Sequence, residues 1–253
     1  MRALGGTWPA PTILASVDST NHVLAAMPGD SDGACVVADE QTAGRGRVDR
    51  SWVSTAGAGL WMSVRIGVAG VEPERWPLLS LAAALAARRA IADACGVQVG
   101  IKWPNDVVVE PTLRKIGGLL TEVSGSTAIV GIGINVAWPA DSLPTPESTS
   151  VLVEGGHTDR AELLAHVLVE LESLVALWRT SADELLAQYR QACVSLGRGV
   201  IAHLPDGSTV VGEASAVDDW GRLVISVGAT PVSISAGDVI HATITPWDTP
   251  RSS

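Results

Sequence analysis

The 253-residue chain has no phenylalanine and a single tyrosine, so Leu, Val, Ile and Ala must fill most of its interior, helped by 9 tryptophans. Charge is also scarce. Charged residues make up 17% against 47% hydrophobic, which leaves material for a sizeable core and argues against extensive disorder. Basic residues are outnumbered 17 to 27, a net charge of -10, and that balance argues against broad non-specific DNA binding but does not exclude a local basic site. Cys35, Cys95 and Cys193 are odd in number, far apart and without C-x-x-C spacing. They support neither a disulfide framework nor a zinc site, and read as reduced packing thiols of a cytoplasmic protein. No charged segment followed by an apolar one opens the chain, so no signal peptide is expected. The Ala/Leu run Leu78–Ala87 is too short to span a membrane and meets Arg88-Arg89 at once. Several catalytic signatures are missing as well: the P-loop, a G-x-G-x-x-G that opens a helix after the first strand, a serine elbow and H-E-x-x-H. The five histidines are scattered.

What the chain does contain is a concentrated stretch, Asp39-Glu40-Gln41-Thr42-Ala43-Gly44-Arg45-Gly46-Arg47-Val48-Asp49-Arg50-Ser51-Trp52. It follows an apolar run. Glycines let the backbone fold tightly and approach a ligand, and arginines supply planar donors that match carboxylate and phosphate oxygens. In an acidic chain this reads as an anion site.

Around it the elements alternate. Thr12–Ala15, Ala34–Ala38, Leu60–Ile66, Val97–Lys102, Val107–Val109, Lys115–Glu122 and Ala128–Val136 read as strands. Asp18 to Asn21 offer N-cap residues for a short helix, His22–Met27, stopped by Pro28-Gly29. A long helix runs from Leu78 to about Cys95 and ends at Gly96. Asp159 with Glu162, and Ser181 with Glu184, fit capping boxes that open two more helices, running to about Arg179 and Ser195. Beyond Gly197 short strands recur (Val200–Leu204, Thr209–Ala216, Arg222–Val227, Thr230–Ile234 and Val239–Thr245), predicting a small β barrel. The expected organisation is therefore an α/β (α+β) main domain over residues 1–196, a mixed sheet flanked by helices, with a C-terminal β domain over 197–253.

Five elements stand together in order and spacing: Asp18-Ser19-Thr20-Asn21, Gln41-Thr42-Ala43-Gly44-Arg45-Gly46-Arg47 with Trp52, Lys102-Trp103-Pro104-Asn105-Asp106, Lys115-Ile116-Gly117-Gly118 and Gly131-Ile132-Gly133-Ile134-Asn135. The set resembles biotin protein ligases from about Asp18 to the C-terminus. The resemblance implies a catalytic domain like that of class II aminoacyl-tRNA synthetases, followed by an SH3-like barrel. It implies ATP-dependent formation of biotinyl-5′-adenylate, then transfer of biotin to a lysine of a biotin carboxyl carrier domain of an acyl-CoA carboxylase. By the same resemblance, Ser19, Thr20, Asn21, Gln41, Gly44, Arg45, Gly46, Arg47, Lys115 and Gly118 would hold biotin. Arg47, Arg50, Trp52, Lys102, Asn105 and Asn135 would hold ATP, and Asp106 would meet Mg²⁺. Arg45, Arg47 and Lys115 would be catalytic, because a carboxylate can attack an α-phosphate only where cations offset the meeting of two negative charges. The acceptor lysine is the second nucleophile, which fits the missing serine and cysteine motifs.

The sequence departs from the family at Val48-Asp49, where Arg-Gly is often found, and Asp49 adds a negative charge near Arg50. Only about 17 residues precede Asp18, too few for the DNA-binding domain that some members carry, so a ligase without direct repressor function is expected. The alternatives are a lipoate–protein ligase, an acyl-adenylating relative, and a non-enzymatic regulatory or nucleic-acid-binding protein. The arginine loop is also expected to close over its ligand.

Overall fold

The computed structural model describes residues 7–29, 32–47, 50–204, 207–235 and 241–245. A seven-stranded mixed sheet forms the main body, in the order β1 (Thr12–Val17), β2 (Cys35–Gln41), β3 (Gly59–Gly67), β7 (Thr127–Asn135), β6 (Lys115–Ser124), β5 (Asp106–Val109) and β4 (Val99–Lys102). β1 and β2 are parallel, and every other pair is antiparallel. The short helix α1 (Thr20–Ala26) joins β1 to β2. The long helices α2 (Leu78–Ala90) and α3 (Arg160–Thr180), with α4 (Ala182–Ala192), enclose the core.

The sheet has two unlike faces, and period-2 alternation writes both into each strand. On β3, Leu60, Met62, Val64 and Ile66 join the main core with α2 and α3, as do Ala128, Val130, Ile132 and Ile134 on β7. The intervening residues, Trp61, Ser63 and Arg65 on β3 and Ile129, Gly131 and Gly133 on β7, point the other way. That second face carries α1. Its C-terminal carbonyls, Leu24 O and Met27 O among them, accept hydrogen bonds from the guanidinium of buried Arg65, a cation at the negative end of the helix.

The second sheet is antiparallel, β11 (Thr230–Ile234), β10 (Leu223–Val227), β9 (Thr209–Val217), β8 (Gly199–His203) and β12 (His241–Thr245). Among the described residues no ladder joins β11 to β12. Its buried residues, including Val200, Ala202, Ala214 and Ile225, belong to the same hydrophobic cluster as α2 and the large sheet.

The sequence placed nearly every element, with informative differences. The helix from Leu78 is regular only to Ala90; Ile91–Cys95 form one wider π turn before Gly96 closes it at φ 71°. At Asp159 the expected cap is present, its carboxylate accepting from Ala161 N and Glu162 N. Ser181 makes no side-chain cap. It is at once the C-cap of α3 and the residue before α4, and its N–H is committed to Leu177 O. α4 correspondingly ends at Ala192 rather than near Ser195. Ser19 precedes α1 without capping it; the Thr20 N–H is met instead by Gln41 Oε1 at 2.8 Å. The last predicted strand is described only over His241–Thr245.

Candidate active site

Strand register lays out the site as two rows across the open face of the large sheet. In the first, Lys102 is opposite Asp106, Asp106 opposite Gly118, Gly118 opposite Gly133 and Gly133 opposite Trp61. In the second, Leu120 is opposite Gly131 and Gly131 opposite Ser63. The rows are two residues apart, roughly 7 Å. The glycines make room. A Cβ on Gly133 would lie 2.7 Å from the Trp52 indole and one on Gly118 would lie 3.0 Å from it, so Trp52 rests on this pair. Trp61 meets the indole edge-on, with centroids 6.2 Å apart, and Lys115 Nζ stands 5.1 Å from the Trp52 ring centroid.

One end of the resulting cavity is cationic. Lys102, Trp103, Pro104, Asn105 and Asp106 form a turn between β4 and β5, with a cis peptide at Trp103–Pro104. Parts remote in sequence clamp this turn. Ser195 Oγ accepts from Trp103 N at 2.9 Å, Gly221 O accepts from Trp103 Nε1 at 2.9 Å, and the buried Tyr189 hydroxyl donates to Pro104 O at 3.1 Å. Asp106 pairs with Lys115 at 2.6 Å, and Asn105 Oδ1 accepts from Arg47 at 3.2 Å. The residues lining the cavity include five cations, Arg45, Arg47, Arg50, Lys102 and Lys115, and one carboxylate, Asp106. Burial holds the Lys102 ammonium below its usual range, with Lys115 and Arg50 pushing the same way against Asp106. Burial likewise lowers Arg47, and Arg50 adds to it against Asp106. These cations crowd one another until an anion joins them.

The other end is neutral and tightly bonded. Thr20, Asn21 and Ser63 are buried, and Ser63 Oγ lies 2.7 Å from Thr20 Oγ1 and 2.6 Å from Asn21 Oδ1. Gln41 accepts from Thr20 N and donates to Ser54 Oγ at 2.8 Å. Asn21 Nδ2 donates to Glu122 at 2.7 Å, and the same carboxylate oxygen receives Arg45 at 3.1 Å. Gly131 is required here, since a Cβ would lie 2.4 Å from Asn21 Oδ1.

Of the residues named from sequence, Ser19, Thr20, Asn21, Gln41, Arg45, Gly46, Arg47, Arg50, Trp52, Lys102, Asn105, Asp106, Lys115 and Gly118 all line this one cavity. Two do not. Gly44 lies behind the loop, where a Cβ would meet Trp52 O at 2.4 Å. Asn135 is buried, its Nδ2 donating to Thr149 O at 3.0 Å while its Oδ1 has no partner among the described residues. Val48 and Asp49 lie outside the described residues. Arg45 belongs to the neutral end through Glu122, whereas Lys115 and Arg47 belong to the cationic end. Ser54, Ser63 and Glu122 were not anticipated; Ser63 and Glu122 sit at the ligand-face parity of their strands, the one signal that would have found them. Trp103 is buried as packing. Among the described residues no three His, Cys, Asp or Glu side chains gather to hold a metal. No helix among them is long and apolar enough to cross a membrane.

The profile of the Biotin/lipoate A/B protein ligase family matches residues 14–138, and that of the Biotin protein ligase C terminal domain matches residues 195–242. The biotin--[acetyl-CoA-carboxylase] ligase of Mycobacterium tuberculosis is 39% identical over 244 residues, which cover 94% of this chain and 91% of that protein. The bifunctional ligase/repressor BirA of Bacillus subtilis is 32% identical, over 90% of this chain and 71% of the relative. Among solved structures, the biotin protein ligase of Aquifex aeolicus in complex with biotin and ATP superposes with a TM-score of 0.79 at 28% identity, covering 93% of this chain and 99% of the other.

Proposed function

We infer the activity from the premise that this chain belongs to the biotin/lipoate protein ligase family and is a biotin ligase within it. It activates biotin with ATP and transfers it to a carboxylase. The observation that carries the reading onto these residues is the two-ended cavity: four cations, Arg47, Arg50, Lys102 and Lys115, around one carboxylate, continuous with a hydrogen-bonding floor to which Arg45 is tied through Glu122.

In our account the ureido ring lies at the neutral end near Ser19, Thr20 and Gln41, and the valerate carboxylate points toward Lys115 and Arg47. One carboxylate oxygen attacks the α-phosphorus of ATP, the bond to the β-phosphate oxygen breaks, and pyrophosphate leaves. Lys115, Arg47 and Arg50 face the charge that accumulates on the phosphoryl oxygens, which is where preorganised cations lower the barrier. Lys102 extends the field toward pyrophosphate. The acceptor amine, from a lysine of a biotin carboxyl carrier domain, then attacks the biotinyl carbonyl and AMP departs. Trp52 supplies an aromatic wall for adenine, whereas Asn135, buried with its Nδ2 on Thr149 O, does not line the cavity. A single carboxylate, Asp106, already shared with Lys115, fits a Mg²⁺ that arrives on the triphosphate rather than one resident in the protein. Residues 1–196 form the catalytic domain and 197–253 an SH3-like domain. The buried, protonated cysteines suit the cytoplasm: burial pushes Cys35 up to about 12 and Cys95 up to about 11.

Exchange of labelled pyrophosphate into ATP tests this. Biotin should support exchange and lipoate should not; exchange with lipoate alone would transfer the protein to the other branch of the family, and exchange with neither would end the adenylation account.

A further inference from the structure

Three oxygen–oxygen contacts at the neutral end share two hydroxyl protons. Ser63 Oγ lies 2.6 Å from Asn21 Oδ1, Thr20 Oγ1 lies 2.7 Å from Ser63 Oγ, and Gln41 Oε1 lies 3.0 Å from Thr20 Oγ1. Asn21 cannot turn over, because its Nδ2 donates to the Glu122 carboxylate at 2.7 Å, a group that only accepts. Its Oδ1 therefore faces Ser63 and can only accept, so Ser63 gives its one proton to Asn21. Thr20 must then supply the proton between itself and Ser63. The longest contact, from Thr20 Oγ1 to Gln41 Oε1, is left without one. Gln41 is fixed in that orientation by the Thr20 N–H on its oxygen and by Ser54 on its nitrogen. Two oxygens thus present lone pairs side by side on residues that line the cavity.

We propose that Glu122 is a positioning residue that sets the hydrogen-bond polarity of the ring end: through Asn21 and Ser63 it turns Thr20 Oγ1 and Gln41 Oε1 into paired acceptors for a ligand N–H. The same carboxylate oxygen holds Arg45 at 3.1 Å, so it also ties the arginine loop to that end. Glu122 itself is partly exposed, while Ser63 is fully buried; the carboxylate at the rim governs protons on the floor. The proposal rests on the biotin reading, which supplies the N–H. It adds a discrimination rule: a ring of the same size carrying an acceptor in place of that N–H is rejected, because two lone pairs would face a third.

The test compares biotin with its cyclic carbamate analogue, in which one ureido N–H is replaced by oxygen, in pyrophosphate exchange. Wild type should favour biotin by about a hundredfold or more in kcat/KM, as sites built on buried hydrogen bonds do. Glu122→Ala frees Asn21 to turn over and reverse the chain, and Ser63→Ala cuts it. Each should lower the preference at least about tenfold, raising KM for biotin more than it lowers kcat. Glu122→Gln, whose amide oxygen still accepts from Asn21 but which gives up the ion pair to Arg45, should keep a preference near that of wild type, which a role confined to that ion pair does not predict. Should Glu122→Ala fail to fold, Glu122→Gln against Ser63→Ala carries the same contrast. Wild-type preference in either Glu122→Ala or Ser63→Ala overturns the proposal, and Ser63→Ala decides where Glu122→Ala does not fold. Wild type inactive with biotin would overturn the functional reading instead.

Discussion

The two ends of the cavity are built on opposite principles. At the neutral end the interacting groups are already bonded to one another, through Thr20, Asn21, Ser63, Gln41 and Glu122, before any ligand arrives. At the cationic end Lys102, Lys115, Arg47 and Arg50 meet one carboxylate, and burial and mutual repulsion depress Lys102 and Arg47. The first end is preorganised by internal hydrogen bonds that leave one pair of acceptors for the ligand, the second by strain that an anion relieves. A neutral bicyclic ring and a triphosphate need these two treatments, and the glycine rows of β6 and β7 put them on one floor. Both lysines of the whole chain, Lys102 and Lys115, stand at the charged end.

The largest break in this contrast is expected from Lys115→Met. Removing the cation nearest both Asp106 and Trp52 should lower kcat/KM for exchange by about 10²- to 10³-fold, with little change in melting temperature; a large melting loss with a small kinetic one would make Lys115 structural. Next comes Gly131→Ala, whose added carbon falls 2.4 Å from Asn21 Oδ1. Calorimetry should show biotin binding weakened by roughly tenfold or more and pyrophosphate binding nearly unchanged.

Lys102→Met should weaken pyrophosphate by about tenfold, the scale of one charge-assisted contact, while making the fold more stable at neutral pH. The sign follows from burial. A native ammonium held below its unfolded value of 10.5 is lost from the folded chain first, so the unfolded chain binds more protons in that window and wild-type stability rises with pH there. The penalty is therefore full below the window, and the gain of Lys102→Met should shrink as pH climbs through it toward 10.5. Melting curves across alkaline pH check this; a gain that grows with pH would contradict it. The smallest effect belongs to Tyr189→Phe, which removes one buried hydrogen bond to Pro104 O. It should cost about 1 kcal/mol of stability, and KM for ATP should rise more than KM for biotin, because the cationic turn alone is loosened.

Much of this was legible in sequence where a residue's type and its position carried the same message. The Gly-Arg-Gly-Arg stretch and Lys102 through Asp106 combine charge with turn formers, and all of them but Gly44 line one cavity. The Gly131–Gly133 pair, by contrast, looks like ordinary strand glycine until the register is known. Only the pairing with Gly118 and Ser63 shows both glycines beneath ligand-side groups. Ser63 and Glu122 are common residues in apolar strands, and nothing local separates a buried relay from a solvated hydroxyl or carboxylate. The capping box at Ser181 failed for a related reason: the N–H that Glu184 would have bonded is committed to Leu177 O of the preceding helix, a contact beyond the reach of the local pattern. The joining of the second sheet to the cationic turn, through Trp103 to Gly221 across 118 residues, is tertiary and left no trace in the spacing.

Because the chain has only two lysines, selective ¹³C labelling of the lysine ε-carbon gives a spectrum of two signals, both from the charged end. Titration with pyrophosphate and, separately, with biotin amide, which keeps the ring but not the carboxylate, reads the division of the cavity directly. Pyrophosphate should move both signals, and biotin amide should bind while leaving both nearly in place. Equal displacement by the two ligands, or none by pyrophosphate, would contradict a cavity with one end for charge and one for the ring.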